Sequence, residues 1–151
     1  WCERVRSLIA QNGLQDKITV HLFEFERFCD KPGWDWKVSP EQGKFAPKTK
    51  AETDYINLPL ALKKKFDFIV VDARFRRRCL EVATQCLKPK GIVFLHDAEK
   101  EQYQCAFRQY RYSKLINSRP YYPFEPVTHQ LWIGSLDNPL VTSPELEKIT
   151  P

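Results

Sequence analysis

The chain contains no methionine and only five glycines among its 151 residues. The glycines, at positions 13, 33, 43, 91 and 134, never cluster. The sequence therefore holds no glycine-rich turn of the kind that brings backbone close to a cofactor. The absence of methionine, together with a start at Trp1 inside a helical pattern, leads us to expect a fragment of a longer protein.

Long apolar runs and paired cysteines are also missing. No stretch approaches the apolar length of a membrane span and none resembles a signal peptide, so we expect no membrane contact. The five cysteines form no C-x-x-C pair, and we interpret them as buried, reduced thiols that suit a cytoplasmic location. The net charge of +5 is compatible with an anionic substrate or a nucleic acid and does not decide between them.

Two apolar runs end abruptly in polar residues and are the most informative part of the chain. Residues 68–71 (Phe-Ile-Val-Val) precede Asp72, and residues 91–95 (Gly-Ile-Val-Phe-Leu) precede His96 and Asp97. Continuous apolar runs of this length are typical of strands buried on both faces of a parallel sheet. Ligands of open α/β sheets bind beyond the carboxyl ends of the strands, so these polar residues indicate a ligand-binding edge.

The remaining pattern predicts an α/β domain with the order α-β-(loop)-α-β-α-β-α-β-β. A helix over residues 1–12 precedes an alternating strand at 18–25, and a proline-rich loop insertion fills residues 29–58. We expect a mainly parallel sheet with a C-terminal antiparallel hairpin, formed by residues 121–128 and 130–134 because the two runs are too close for a crossover helix.

These elements resemble part of a class I S-adenosylmethionine-dependent methyltransferase. Phe66–Asp72 resembles the fourth strand of that family, Leu87–Asp97 resembles its fifth strand, and the terminal hairpin resembles its sixth and seventh strands. The resemblance implies a partial Rossmann-like methyltransferase sheet over residues 1–136, with the first two strands absent and a tail at 137–151. The glycine-rich turn and the acid that binds the cofactor ribose would then lie upstream of Trp1.

The resemblance also implies a chemistry: methyl transfer from S-adenosylmethionine to an oxygen or nitrogen nucleophile, as part of a larger intact domain. We expect Asp72, His96 and Asp97 to be catalytic, with Asp72 or His96 assisting deprotonation. Asp72 and Glu24 would contact the cofactor, Glu24 because the family often places an acid near the adenine. The structural alternatives are that the aspartates form ion pairs or cap helices and that His96 is a hydrogen-bonded core residue.

Basic and aromatic residues supply the substrate candidates. Arg74 and Arg76 lie near the strand end, and we predict that they bind a small-molecule or anionic substrate. Trp34 either lines the substrate pocket or pins the loop to the domain. Arg77 and Arg78 fit a solvated face with internal ion pairs.

The sequence leaves the metal content and the enzymatic status of the chain open. We expect no metal, although one imidazole and two carboxylates are ligands that a divalent cation accepts. The alternatives to an enzyme are a non-catalytic methyltransferase-like interaction domain and a nucleic-acid binder that uses residues 74–78. We rank the nucleic-acid binder last because the basic residues are scattered and no RNA-module signature occurs.

Overall fold

The structure of this protein is a computed structural model. It describes residues 2–24, 49–72, 74–117 and 130–143. The chain divides into two compact units, Trp1–Trp34 and Asp35–Pro151, and each is described by itself. Trp34, most of the predicted loop insertion, the predicted strand at 121–128 and most of the predicted tail lie outside the described residues.

The N-terminal unit begins with helix α1, Cys2–Gln11, which confirms the predicted first helix. Gly13 follows it in the left-handed region at φ 64°, and its N–H donates to Ala10 O at 3.1 Å, as in a glycine helix end. Residues 18–24 form no regular secondary structure, so the predicted strand at 18–25 is wrong over these residues. An extended segment without a neighbouring strand leaves its ladder hydrogen bonds unmade, and alternation alone does not create a strand.

Helix α2, Lys50–Ala61, is the first described element of the second unit. A capping box sets its start. Thr49 Oγ1 accepts a hydrogen bond from Glu52 N at 3.2 Å, and Glu52 Oε2 accepts one from Thr49 N at 3.0 Å, which satisfies two backbone donors at the start of the helix. The predicted loop insertion is therefore wrong over residues 50–58, which are helical.

Four strands form one mixed sheet in the described part of the second unit, in the order β1-β2-β4-β3. They are β1 Phe66–Val71, β2 Leu87–Leu95, β3 Tyr112–Asn117 and β4 Gln130–Ser135. β1 and β2 pair in parallel, whereas β4 pairs antiparallel with both β2 and β3. The α/β class is confirmed. The prediction of a mainly parallel sheet is wrong, because β1 and β2 form the single parallel pair among these described strands.

Strand β4 lies where the sequence predicted a strand, but its hairpin partner differs from the prediction. It pairs with β3 from Tyr112↔Ser135 to Asn117↔Gln130, and its other edge pairs with β2. Both edges of β4 are thus paired with described strands, and the run at 121–128 that was predicted as its partner lies outside the described residues. β3 escaped prediction because Lys114 interrupts the apolar alternation of its sequence.

The core lies on one face of the sheet, under helix α3 (Arg76–Ala83), a 3₁₀ turn (Glu101–Tyr103) and the short helix α4 (Gln104–Phe107). Its fully buried side chains include Leu80, Val93, Leu95, Ala106 and Trp132. The helical spacing of Tyr103, Ala106, Phe107 and Tyr110 in the sequence predicts one longer amphipathic helix here, and the turn and α4 take its place. This packing holds Arg76, the first residue of α3, against the residues that follow β1 and β2.

The opposite face of β1 is open. Phe68 and Val70 are 52% and 60% exposed, whereas Val71 is buried and Ile69 packs against the core. The expectation that this strand is buried on both faces is therefore wrong. β1 behaves as a strand with one face on the core and one face in solvent, although its exposed face carries apolar residues.

Candidate functional site

The carboxyl ends of β1 and β2 bring the predicted catalytic residues together. Val71 and Leu95 are register partners in the parallel pair, so the residues that follow them, Asp72 and His96, lie side by side. The ladder continues to His96, whose N–H donates to Val71 O at 3.2 Å. The side chains of the site therefore begin from backbone that the sheet holds in place.

The imidazole of His96 contacts two carboxylates. Its Nδ1 is 3.2 Å from Asp72 Oδ1 and 3.2 Å from Asp97 Oδ1. Because a carboxylate only accepts, Nδ1 carries the hydrogen in these contacts, and in the neutral ring the lone pair then lies on Nε2. The two aspartates thus select the tautomer of the ring and its orientation.

A left-handed backbone conformation places the carboxylate of Asp97 beside the ring. Asp97 has φ 53°, a region that aspartate enters more readily than most residues. The chain then leaves the site along β4, because the N–H of Ala98 donates to Gln130 O at 2.8 Å. The turn is therefore held on both sides, by the end of β2 and by the start of β4.

Arg76, the first residue of α3, joins the two strand ends. Its Nη1 donates to Asp97 Oδ2 at 3.0 Å and to His96 O at 2.7 Å, and its Nη2 is 3.2 Å from Asp72 Oδ1. These contacts occupy N–H donors on both terminal nitrogens of the guanidinium. That Arg76 binds substrate stays a prediction, and the structure shows that its side chain already bridges two aspartates.

Access to the cluster is uneven. The side chains of Asp72 and His96 are 52% and 43% exposed, whereas those of Asp97 and Arg76 are 21% and 15% exposed. A substrate would therefore meet Asp72 and His96 first, with Asp97 and Arg76 behind them. The exposure of His96 is also too large for the alternative in which it is a core residue.

The other arginines of the run divide into two groups. Arg77 and Arg78 both pair with Glu81, at 3.2 Å and 2.6 Å, which confirms the predicted face with internal ion pairs. Arg74 lies exposed in the turn between β1 and α3. It is thus the arginine of this run that is nearest the strand end and still accessible to a substrate.

Two residues behind the cluster were not singled out as functional by the sequence. Tyr55 of α2 is hydrogen-bonded to Cys79 of α3 and lies close enough to Arg76 to feel its charge. Burial raises the pKa of Tyr55 to about 12 and that of Cys79 to about 11, so both stay protonated near neutral pH. No local pattern links them, because they lie on different helices and meet through tertiary packing.

Asp72, His96 and Asp97 also form a donor set that could hold a metal. One ligand atom from each residue lies within 4.8 Å of the others. An imidazole with two carboxylates suits several divalent transition metals. The same two carboxylates, however, form ion pairs with the guanidinium of Arg76, and a metal would compete with that charge.

Glu24 and Trp34 are the two other residues that the sequence predicted for the site. Glu24 belongs to the N-terminal unit, where it is exposed and outside regular secondary structure. Trp34 is outside the described residues. Their predicted contacts with a cofactor and a substrate stay predictions.

No family model matches this chain, and no curated protein or solved structure matches it either. The methyltransferase resemblance therefore rests on the residues of this sequence alone. Among the described residues, no helix is both long enough and apolar enough to cross a bilayer. The cytoplasmic location stays a prediction.

Proposed function

We propose that Asp72, His96 and Asp97 form the proton-accepting site of a methyl transfer from S-adenosylmethionine to an oxygen or nitrogen nucleophile. The observation that carries this proposal is the position of His96 Nδ1, 3.2 Å from a carboxylate oxygen of each aspartate. A histidine held through one nitrogen in this way presents the other as a general base. The methyl-transfer part rests on the resemblance of the two strand sequences.

The described residues suit proton acceptance and do not form a cradle for the whole cofactor. Their glycines are Gly13 after α1, Gly91 inside β2 and Gly134 inside β4. None of these described glycines follows a strand at the edge where Asp72 lies, which is where close approach of backbone to such a cofactor is needed. We therefore assign no step to the cofactor and derive only what the side chains of this chain supply.

In this mechanism His96 Nε2 takes the proton of the nucleophile. Asp72 and Asp97, on the Nδ1 side, stabilise the imidazolium that forms, and Asp72 is exposed enough to accept a hydrogen bond from the substrate as well. A positioned general base contributes about 10²–10⁴-fold to a rate. Arg74 stays the candidate for an anionic group of the substrate.

Calorimetric titration with S-adenosylhomocysteine tests the methyl-transfer proposal. It is performed on this chain and on the chain preceded by any residues that its gene encodes upstream of Trp1, because the described residues lack a cofactor cradle. We expect at least one of the two proteins to bind. Asp72→Asn should weaken that binding by about tenfold, the effect of losing one charge-assisted hydrogen bond.

Asp67→Asn is the matched control for this titration. Asp67 lies at the other end of β1 and pairs with Lys88 at 2.7 Å, so its substitution should leave the affinity unchanged. If S-adenosylhomocysteine binds to neither protein, methyl transfer is abandoned. If both aspartate variants weaken binding equally, the site is not at the carboxyl end of β1.

A non-catalytic interaction domain is the second candidate function. The observation in its favour is the exposure of Phe68 and Val70 on the outer face of β1, because a strand face with large apolar side chains in solvent is typical of a binding surface. A chain that keeps its cellular role when His96 is replaced by glutamine, and that binds no S-adenosylhomocysteine, would have this second function.

A further inference from the structure

The proposed function assigns no role to the positive charge that lies between the two carboxylates of the cluster. Two carboxylates, one imidazole and one guanidinium meet at the ends of β1 and β2. The guanidinium of Arg76 lies 3.2 Å from Asp72 Oδ1 and 3.0 Å from Asp97 Oδ2. Because arginine is never deprotonated in proteins, this is a permanent positive charge between the two acids.

The oxygens that Arg76 contacts belong to the same residues that make up the metal donor set. Asp72, His96 and Asp97 offer ligand atoms within 4.8 Å of one another. A divalent cation bound to these carboxylates would lie next to the guanidinium, and like charges at such separations repel strongly where water is partly excluded. The guanidinium already pairs with both carboxylates, so a divalent cation bound to them would have to compete with a fixed positive charge.

We infer that Arg76 is the built-in cation of this site and takes the place of a divalent metal. It neutralises the acids, joins the ends of two strands and fixes the carboxylates that orient His96. On this inference the two acids need no metal ion to neutralise them. Arg76 is a positioning residue in this role, since it acts on the substrate through His96 and the aspartates.

The geometry explains why the residue is arginine. A planar fork can contact two carboxylates and a backbone carbonyl at once, which the single ammonium of lysine cannot do with the same geometry. The fork is also held from behind, because α3 is packed into the core through Leu80 and Ala83. A cation in the first turn opposes the helix dipole, and the two aspartates compensate for this unfavourable placement.

Removing the guanidinium should turn the cluster into a metal site. We expect Arg76→Met to gain binding of Mn²⁺, measured by calorimetry and by the loss of the free-ion signal in electron paramagnetic resonance. The gain over the wild-type protein should be at least about tenfold, because the repelling charge is gone and three ligands remain. Arg76→Lys keeps the charge and should bind no more Mn²⁺ than the wild type.

Arg77→Met is the matched control for the Mn²⁺ measurement. Arg77→Met removes an arginine of the same helix that pairs with Glu81, and it should leave Mn²⁺ binding unchanged. The inference is overturned if the wild-type protein binds Mn²⁺ and His96→Gln abolishes that binding, or if a folded Arg76→Met protein gains none. Folding is checked by circular dichroism.

A second measurement covers the case in which Arg76→Met does not fold. Substoichiometric Mn²⁺ added to the wild-type protein should leave the His96 ring protons sharp in nuclear magnetic resonance spectra, and selective broadening would overturn the inference. The inference concerns the same cluster as the proposed function, yet it rests on charge geometry. Failure of the S-adenosylhomocysteine titration leaves it standing, and Mn²⁺ binding by the wild type leaves the methyl-transfer proposal standing.

Discussion

At the scale of single residues, burial decides the chemistry of Cys79. This thiol follows the arginine run and lies beside the candidate site, where a reactive cysteine would be a rival to His96. Its Sγ donates to Arg74 O at 3.7 Å and it is hydrogen-bonded to Tyr55. Burial nevertheless dominates and raises its pKa to about 11 from 9.0. Because the thiolate is the nucleophile, Cys79 is inert at neutral pH.

Alkylation kinetics check this assignment. At neutral pH the folded chain should react with iodoacetamide at Cys79 roughly a hundred times more slowly than the same chain in urea, since each unit of pKa lowers the thiolate fraction about tenfold. Mass spectrometry of the digested protein measures the modification at each cysteine. Equal rates in the folded and unfolded chains would show that Cys79 is neither buried nor protonated as described.

Residues at strand ends were predictable, and residues that meet through helix packing were not. Asp72 and His96 follow two apolar runs, so the parallel register of β1 and β2 was enough to bring them together. The pairing of Asp72 with Arg76 also had a local signal, their spacing of four residues. Tyr55 had none, because its contact with Cys79 depends on how α2 and α3 pack, and periodicity does not specify that.

At the scale of secondary-structure elements, β1 is asymmetric between its two faces. Val70 and Val71 are neighbours of the same type in the same strand, with Val70 60% exposed and Val71 6% exposed. The sequence shows four apolar residues in a row at 68–71, which cannot distinguish a strand buried on both faces from one with an apolar outer face. Because Val70 and Val71 are the same residue type, their exposed fractions compare the two faces of β1 directly.

Valine-to-alanine substitutions at the two positions should have unequal effects. Val71→Ala should lower the free energy of unfolding by about 2 kcal/mol, because it removes buried methyl groups from a packed core. Val70→Ala should cost less than about 1 kcal/mol, mainly through strand propensity. Urea unfolding monitored by circular dichroism gives both values. Equal losses would mean that the outer face of β1 is covered in solution.

Helix α2 has a local sequence pattern that marks its start, whereas strand β3 has no local pattern that marks it as a strand. The start of α2 was available as Thr-x-x-Glu at 49–52, the pattern of the capping box that the structure shows, and the predicted loop extended through it. β3 had no comparable signal, because Lys114 breaks its alternation. The order of the strands in the sheet could not be derived from the sequence either. β4 pairs with β2 along one edge and with β3 along the other, and this choice of partners depends on tertiary packing.

At the scale of the whole molecule, four acidic groups that are buried or half-buried share one direction of pKa shift. Burial raises the pKa values of Tyr55, Cys79, Cys86 and Tyr110. All four are neutral when protonated, so the folded chain holds these protons more tightly than the unfolded chain does. All four groups also lie in the second unit, around α3 and the strands that it covers. Its core is therefore sensitive to alkaline pH.

The sign of this sensitivity follows from the two pKa values of each group. The stability associated with Tyr55 is fully present below its unfolded value of 10.0 and is lost as the pH rises through about 12. Cys79 behaves in the same way between 9.0 and about 11. The free energy of unfolding should therefore fall continuously as the pH rises above about 9, because the unfolded chain releases protons that the folded chain keeps.

Urea unfolding at about pH 8 and about pH 10.5 measures this loss, and Tyr55→Phe tests its origin. Phenylalanine fills nearly the same volume and has no proton to release, so the variant should lose less stability between the two pH values than the wild-type protein does. Tyr55→Phe also loses the hydrogen bond to Cys79, and this loss lowers the stability of the variant at both pH values. Comparing the two pH values within each protein therefore cancels that cost. If the two proteins lose stability equally, Tyr55 does not contribute to the alkaline transition, and the remaining buried groups must account for it.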